Sequence, residues 1–280
     1  MSLVRLTVLT TLTMVAFAGN SVLCRAALKE TDLDPASFTA LRLISGALML
    51  WFLLQWQRDR HPRAGHWRSA VALFVYAACL SFAYIGLSTG TGAILLFGAV
   101  QMTMVITGWL EGDRPSATQG AGFALAFAGL IGLVLPGIQA PPLGSALLML
   151  ASGVAWGFYS LWGRGTPKPL ATTAGNFMRT VPMTLALSLI MLGHFHWDPL
   201  GATYAIVSGT LTSAVGYAIW YSVVPLLKAA KAASVQLSVP VIATTGGLVF
   251  LGEPLTLRFV ITSAAILAGI GLVILGRPSN

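Results

Sequence analysis

The chain has 280 residues, 56% of them hydrophobic and only 9% charged, where a soluble domain carries about 25% charged residues. So few charges could not cover a soluble fold of this size, and the apolar residues arrive in blocks of roughly 20, the length that crosses a bilayer core of about 30 Å. The net charge of +8 does not call for nucleic acid, because membrane proteins gather Lys and Arg in cytoplasmic loops.

In chain order, ten apolar segments are read near 6–24, 36–55, 69–87, 91–110, 117–135, 143–162, 171–192, 201–224, 233–251 and 256–275. Helices are the expectation for all ten, since a chain in hydrocarbon must satisfy its own backbone groups. The fold class is therefore an all-α polytopic membrane protein. The longest loop is the basic stretch Gln57–Trp67. With the N-terminus in the cytoplasm, eleven Lys and Arg fall on that side and only Arg25, Lys29 and Arg258 on the other. Arg42 and Arg179 stay inside the membrane, which completes the 16. That asymmetry predicts a multi-pass protein of the cell inner membrane with both termini cytoplasmic. Cys24 and Cys79 fall within apolar segments and are expected to pack as small apolar residues.

The end of the first segment, Ala16-Phe17-Ala18-Gly19-Asn20-Ser21-Val22-Leu23-Cys24-Arg25, recurs as Ala155-Trp156-Gly157-Phe158-Tyr159-Ser160-Leu161-Trp162-Gly163-Arg164, 139 residues later (25 to 164). At the same offset Pro115 maps to Pro254, Phe82-Ala83 to Tyr221-Ser222, and Gly132-Leu133-Val134-Leu135 to Gly271-Leu272-Val273-Ile274. Arg42 and Arg179 pair with a slip of two residues. Residues 1–138 and 139–280 thus read as two repeats of five helices. An odd number per half forces the second half upside down, and inverted repeats are the usual build of secondary transporters with a midplane site. Arg5, an apolar core and Ala16-Phe17-Ala18 have the outline of a secretory leader. The repeat argues that this segment is retained as the partner of the sixth.

The second copy carries Lys228-Ala229-Ala230-Lys231-Ala232, Val239-Pro240-Val241 and Leu251-Gly252-Glu253-Pro254-Leu255-Thr256; the first carries Gly19-Asn20 with Arg25, and Leu41-Arg42. In these motifs the whole chain resembles the drug/metabolite transporter superfamily, in its EamA-like ten-helix branch. The resemblance implies a cavity lined by helices 1, 3, 4, 6, 8 and 9, and a secondary transporter that exports amino acids or related metabolites. Gln101 departs from the family, which often has proline there.

Catalysis would need a nucleophile with a base, or a metal cluster. The carboxylates and the four histidines all fall in loops or at helix ends, and Ser208-Gly209 has no intramembrane histidine to activate it. The sequence predicts no enzyme, no cofactor and no metal, and reads His194-Phe195-His196-Trp197-Asp198 as an external loop. A channel or lipid-handling protein on the same scaffold is the rival reading. The polar residues that could line a solute path are Asn20, Tyr76, Tyr84, Gln101, Trp156, Tyr159, Tyr217 and Gln236. Arg42 and Arg179 either meet a substrate anion or cap backbone carbonyls. Trp156 with Tyr159, and Tyr217 with Trp220, each share a helix face at i, i+3 and could wall a cavity; Trp162, Trp220 and Tyr221 also read as an interfacial belt. Pro240 and Pro182 interrupt their helices and are the hinge candidates. The expected partners are a small-molecule substrate and the lipid bilayer, and either a monomer or a homodimer fits.

Overall fold

Polar residues placed just ahead of the apolar runs start several of the helices. Ser2, Ser88, Ser116, Asp198 and Thr256 each accept a hydrogen bond from the backbone N–H three residues on, satisfying donors that a helix start leaves open. Ser116 and Gln119 complete a reciprocal capping box. The computed structural model describes residues 2–56, 64–112, 116–137, 140–164, 166–227 and 229–276. Most of the basic loop, Arg114 with Pro115, Lys228, the side chain of Lys231, and Arg277 lie outside the described residues. That portion of the charge asymmetry, and the Pro115–Pro254 match, lie there too.

The helices are α1 (Leu3–Glu30), α2 (Pro35–Trp56), α3 (Trp67–Tyr84), α4 (Thr89–Leu110), α5 (Ala117–Val134), α6 (Leu143–Gly163), α7 (Pro169–Ile190), α8 (Pro199–Val207), α9 (Gly216–Val223), α10 (Ala229–Gln236), α11 (Ser238–Leu251) and α12 (Leu257–Leu275). Among the described residues there is no strand. Eight helical stretches are long and apolar enough to cross a membrane: α1 to α6, Ser234–Leu251 and α12. Asn176, Arg179 and several threonines dilute the apolar character of α7, which is 22 residues long. The eighth segment is divided into pieces too short to qualify singly.

That division was not predicted. Between α8 and α9 the backbone widens into a π-helical stretch, Ser208–Val215, where a continuous α-helix was expected over 201–224. Gly209 sits in it, and a Cβ there would come within 2.2 Å of the Arg42 carbonyl oxygen. Backbone of the π stretch and of α2 therefore touch, which only glycine permits. The ninth segment also breaks, at Leu237, between α10 and α11. Pro240 lies three residues beyond that break, in the first turn of α11 and inside the apolar stretch Ser234–Leu251, where it lacks the N–H that would bond the Gln236 carbonyl. Pro182 does lie inside α7.

The most extensive helix contacts join α5 to α12, α3 and α4 to α6, and α2 to α7, while α1 packs on α11, α8, α9 and the π stretch. Large apolar side chains such as Phe127, Ile131, Leu189, Ile190, Phe250 and Ile261 are left exposed. A soluble protein rarely exposes so many, and lipid is the solvent that suits them.

Candidate functional site

A cavity of about 1150 Å³ enters the helix assembly from one end. Its mouth is formed where α4, α6, α9 and α12 finish and α5 and α7 begin, with Glu111, Gln119, Gly163, Arg164, Pro169, Pro225 and Gly276 on its rim. Its deep end is polar. Asn20 on α1 donates from Nδ2 to the Tyr76 hydroxyl on α3 at 3.0 Å, and the Ser208 hydroxyl donates to Asn20 Oδ1 at 2.7 Å. Arg42 on α2 donates from Nη2 to the same Tyr76 hydroxyl at 3.0 Å and from Nε to Ser213 Oγ at 3.4 Å. Its guanidinium carbon lies 5.1 Å from the centre of the Tyr76 ring. Four elements thus share one hydrogen-bonded network, and the π stretch supplies both of its serines.

Above the network stands an aromatic wall centred on Trp156 of α6. Its ring centroid is 4.7 Å from Tyr76, 5.2 Å from Tyr159 and 5.3 Å from Tyr217. Phe17 meets Tyr217 and Trp220 edge-on at 5.7 and 6.0 Å. Such a surface offers π-faces and apolar area to an organic solute or a cation. Gln101 of α4 and Gln236 of α10 complete the polar lining.

The far end is closed. Arg25 lies five residues beyond Asn20 on α1, roughly 7.5 Å along the axis. Its Nε pairs with Glu253 Oε1 at 3.1 Å, and its Nη1 donates to the carbonyls of Tyr84 at 2.6 Å and Ile85 at 3.0 Å. Glu253 Oε2 accepts from the Thr89 backbone N–H at 2.7 Å, and Lys29 Nζ donates to the Leu251 carbonyl at 3.3 Å. Gly252, with φ of +60°, makes the left-handed turn that ends α11 and brings Glu253 back to these donors. This floor ties α1 to the α3–α4 turn and the α11–α12 turn.

Seven of the eight cavity candidates line this space: Asn20, Tyr76, Gln101, Trp156, Tyr159, Tyr217 and Gln236. Tyr84 does not. It lies eight residues beyond Tyr76, is fully buried, and donates to the Thr89 carbonyl at 3.4 Å, so it belongs to the floor. The two arginines separate. Arg42 stands directly behind the cavity wall. Arg179 donates from Nη1 to the carbonyls of Ala64 at 2.7 Å and Gly175 at 2.8 Å. Beside it Asn176 accepts from the His66 N–H at 2.8 Å. Together they hold the segment entering α3. No group of three metal-ligating side chains occurs among the described residues.

A model of the EamA-like transporter family matches the chain twice, over residues 6–135 and 143–275. The chain belongs to the EamA-like transporter family. This EamA-like chain is a multi-pass membrane transporter of the drug/metabolite type, and its family points away from enzymes. It is 54% identical to an uncharacterised protein of Pseudomonas aeruginosa, covering 99% of this chain and 98% of that one. It is 29% identical to a probable terminal-alkyne amino-acid exporter of Streptantibioticus cattleyicolor, covering 73% of this chain and 70% of the relative. A solved crystal structure, 16% identical, shares the fold with a TM-score of 0.67 over 97% of this chain and 98% of that one.

Several features of the EamA-like structure escaped sequence reasoning. Trp220 is buried and Tyr221 lines the cavity, against the interfacial belt expected of them. Tyr217 and Trp220, three residues apart on α9, share one face, as helical spacing gives; it is the place of Trp220 and Tyr221 near the cytoplasmic end that suggests a belt. Trp162, partly exposed beside Arg68 at 5.4 Å, keeps a belt-like setting. Asp34 and Glu253 do stand at helix ends but are buried. Asp34 accepts from the N–H groups of Ala36, Ser37 and His196, which pins the exposed histidine loop onto the start of α2. The serine and glycine content of 208–216 was the available hint of a π stretch.

Proposed function

We propose that this chain is a secondary transporter of the inner membrane that exports an amino acid or a related small metabolite by alternating access. The observation that carries the reading is one large, aromatic-walled cavity, open at one end and sealed at the other by the Arg25–Glu253 floor. A sealed floor favours a carrier over an open channel. The amino-acid class is supported by the name of the Streptantibioticus relative.

In this reading α7 and the helical run Pro199–Val223 join the eight apolar stretches to give ten spans, arranged as inverted halves 1–138 and 139–280. The double family match supports the halves. So does the packing: exchanging the halves turns the α3–α6 contact into α1 with α8 and α9, turns α4–α6 into α1–α11, and leaves α5–α12 and α2–α7 unchanged. With both termini cytoplasmic, the mouth faces the cytoplasm and the structure is inward-open. The path lies within one chain, so a monomer suffices. Counterflow into proteoliposomes across an amino-acid and nucleoside panel tests the proposal, and absence of movement for every solute sinks it.

A further inference from the structure

Arg42 is 1% exposed, and among the described residues its charge has no acidic partner. Among the described residues the ion pairs are Arg25 with Glu253 and Lys29 with Glu30. The guanidinium meets neutral groups: the Tyr76 hydroxyl, the Tyr76 ring and the Ser213 hydroxyl. Nη1 is buried with no hydrogen-bond partner at all. A guanidinium in this setting is costly in two ways, as a charge removed from water and as unused donors. A purely structural arginine would be expected to spend those donors on carbonyls, as Arg179 does.

The position tells what would complete it. Tyr76 and Ser213 hold the Nε–Nη2 edge of the guanidinium and both line the cavity, so an anion in the cavity reaches that edge of Arg42 by displacing their hydroxyls. The one carboxylate in the lining is Glu111, at the mouth beyond the aromatic wall. Among the described residues no carboxylate pairs with the Arg42 guanidinium.

We infer that Arg42 is the docking point for a substrate carboxylate, which takes the Nε–Nη2 edge in place of the Tyr76 and Ser213 hydroxyls while the Trp156 wall holds the solute's apolar body. The inference rests on the transporter reading and narrows it to carboxylates. An amino acid, or an organic acid lacking the amino group, satisfies the site. The matching amide and amine do not, because a charged pair in a dry site is replaced by a neutral or repulsive one. A substrate's α-ammonium finds no acidic residue at this depth and is left to the π-faces of Trp156 and Tyr217.

The test compares phenylalanine, 3-phenylpropionate and phenylalaninamide by thermal shift and intrinsic tryptophan fluorescence on the purified full chain in detergent. The two acids are expected to bind at least about tenfold more tightly than the amide, the scale of one charge-assisted hydrogen bond. Arg42→Gln abolishes that preference, while Arg42→Lys keeps it at reduced affinity. Asn20→Asp is the complementary variant, since Asn20 and Arg42 share the Tyr76 hydroxyl. It supplies the missing anion from within, so the preference for acids disappears, amide binding stays and the melting temperature rises. If Arg42→Gln is not recovered folded, Asn20→Asp and the unaltered protein carry the comparison. Equal binding of acid and amide to the unaltered protein overturns the inference, as does binding of none of the three. A folded Arg42→Gln or Asn20→Asp protein that still prefers acids also overturns it. Counterflow separates the two levels: movement of neutral or cationic solutes without acid preference removes the carboxylate site and leaves the transporter. No movement of any solute removes both.

Discussion

Replacing Glu253 by alanine should release the closed end of the cavity. The carboxylate and Arg25 have side-chain exposures of only 8% and 13%, so their pairing is weakly screened. Glu253→Ala removes the 3.1 Å ion pair and the 2.7 Å bond from the Thr89 N–H. Removing one partner of a buried pair costs about 3–5 kcal/mol when the other charge is stranded. Arg25 is not stranded, because it keeps the carbonyls of Tyr84 and Ile85, and about 2–3 kcal/mol is the better expectation. That loss falls on the closed floor and spares any state in which the floor is already open. At about 1.4 kcal/mol per decade, the open-floor population should rise about 30- to 150-fold. Spin labels at the exposed positions Asp32 and Leu255, in a background lacking Cys24 and Cys79, would report this as a new longer-distance component by pulsed electron resonance. Glu253→Gln keeps an acceptor for Thr89 and should give a smaller component. An unchanged distance distribution in folded Glu253→Ala protein, with unchanged counterflow, would refute the assignment of this cluster as a gate.

The aromatic wall predicts that Trp156→Ala weakens solute binding at least about tenfold, because three ring contacts converge there; Trp156→Phe should restore much of it in the same titration. Gly209→Ala should destabilise the protein by about 1–3 kcal/mol or more, since the new Cβ meets backbone that cannot yield. Gly120→Ala, with nothing within 4 Å, should leave the thermal midpoint in detergent unchanged or slightly raised. Ser208→Ala strips the donor from the buried Asn20 Oδ1 and should cost about 1–3 kcal/mol. A midpoint equal to that of the unaltered protein would show that the network adapts.

Apolar blocks with few charges can fold only as helices in lipid, and that was legible from composition, because hydrocarbon leaves the backbone no alternative partner. The polar residues inside those blocks were equally visible, since burying them without purpose is costly; Asn20, Tyr76 and Trp156 could be singled out on that ground before any coordinates. What helical spacing could not supply was register across an irregularity. The π stretch at Ser208–Val215 brings Ser208 and Ser213 to the network, and Gly209 within it fits closely against α2. Nor could spacing distinguish Arg42 from Arg179, which repeat symmetry made look alike. Their neighbours come from distant parts of the chain, Tyr76 and Ser213 for one and the Ala64 carbonyl for the other. The same holds for Glu253, a loop carboxylate in sequence and the closing bond of a cavity in three dimensions. The sequence by itself determined the solvent, the secondary structure and the list of unusual polar residues, all local properties. Tertiary structure alone decided which of them meet, because each contact joins helices whose approach is set by packing across the whole chain.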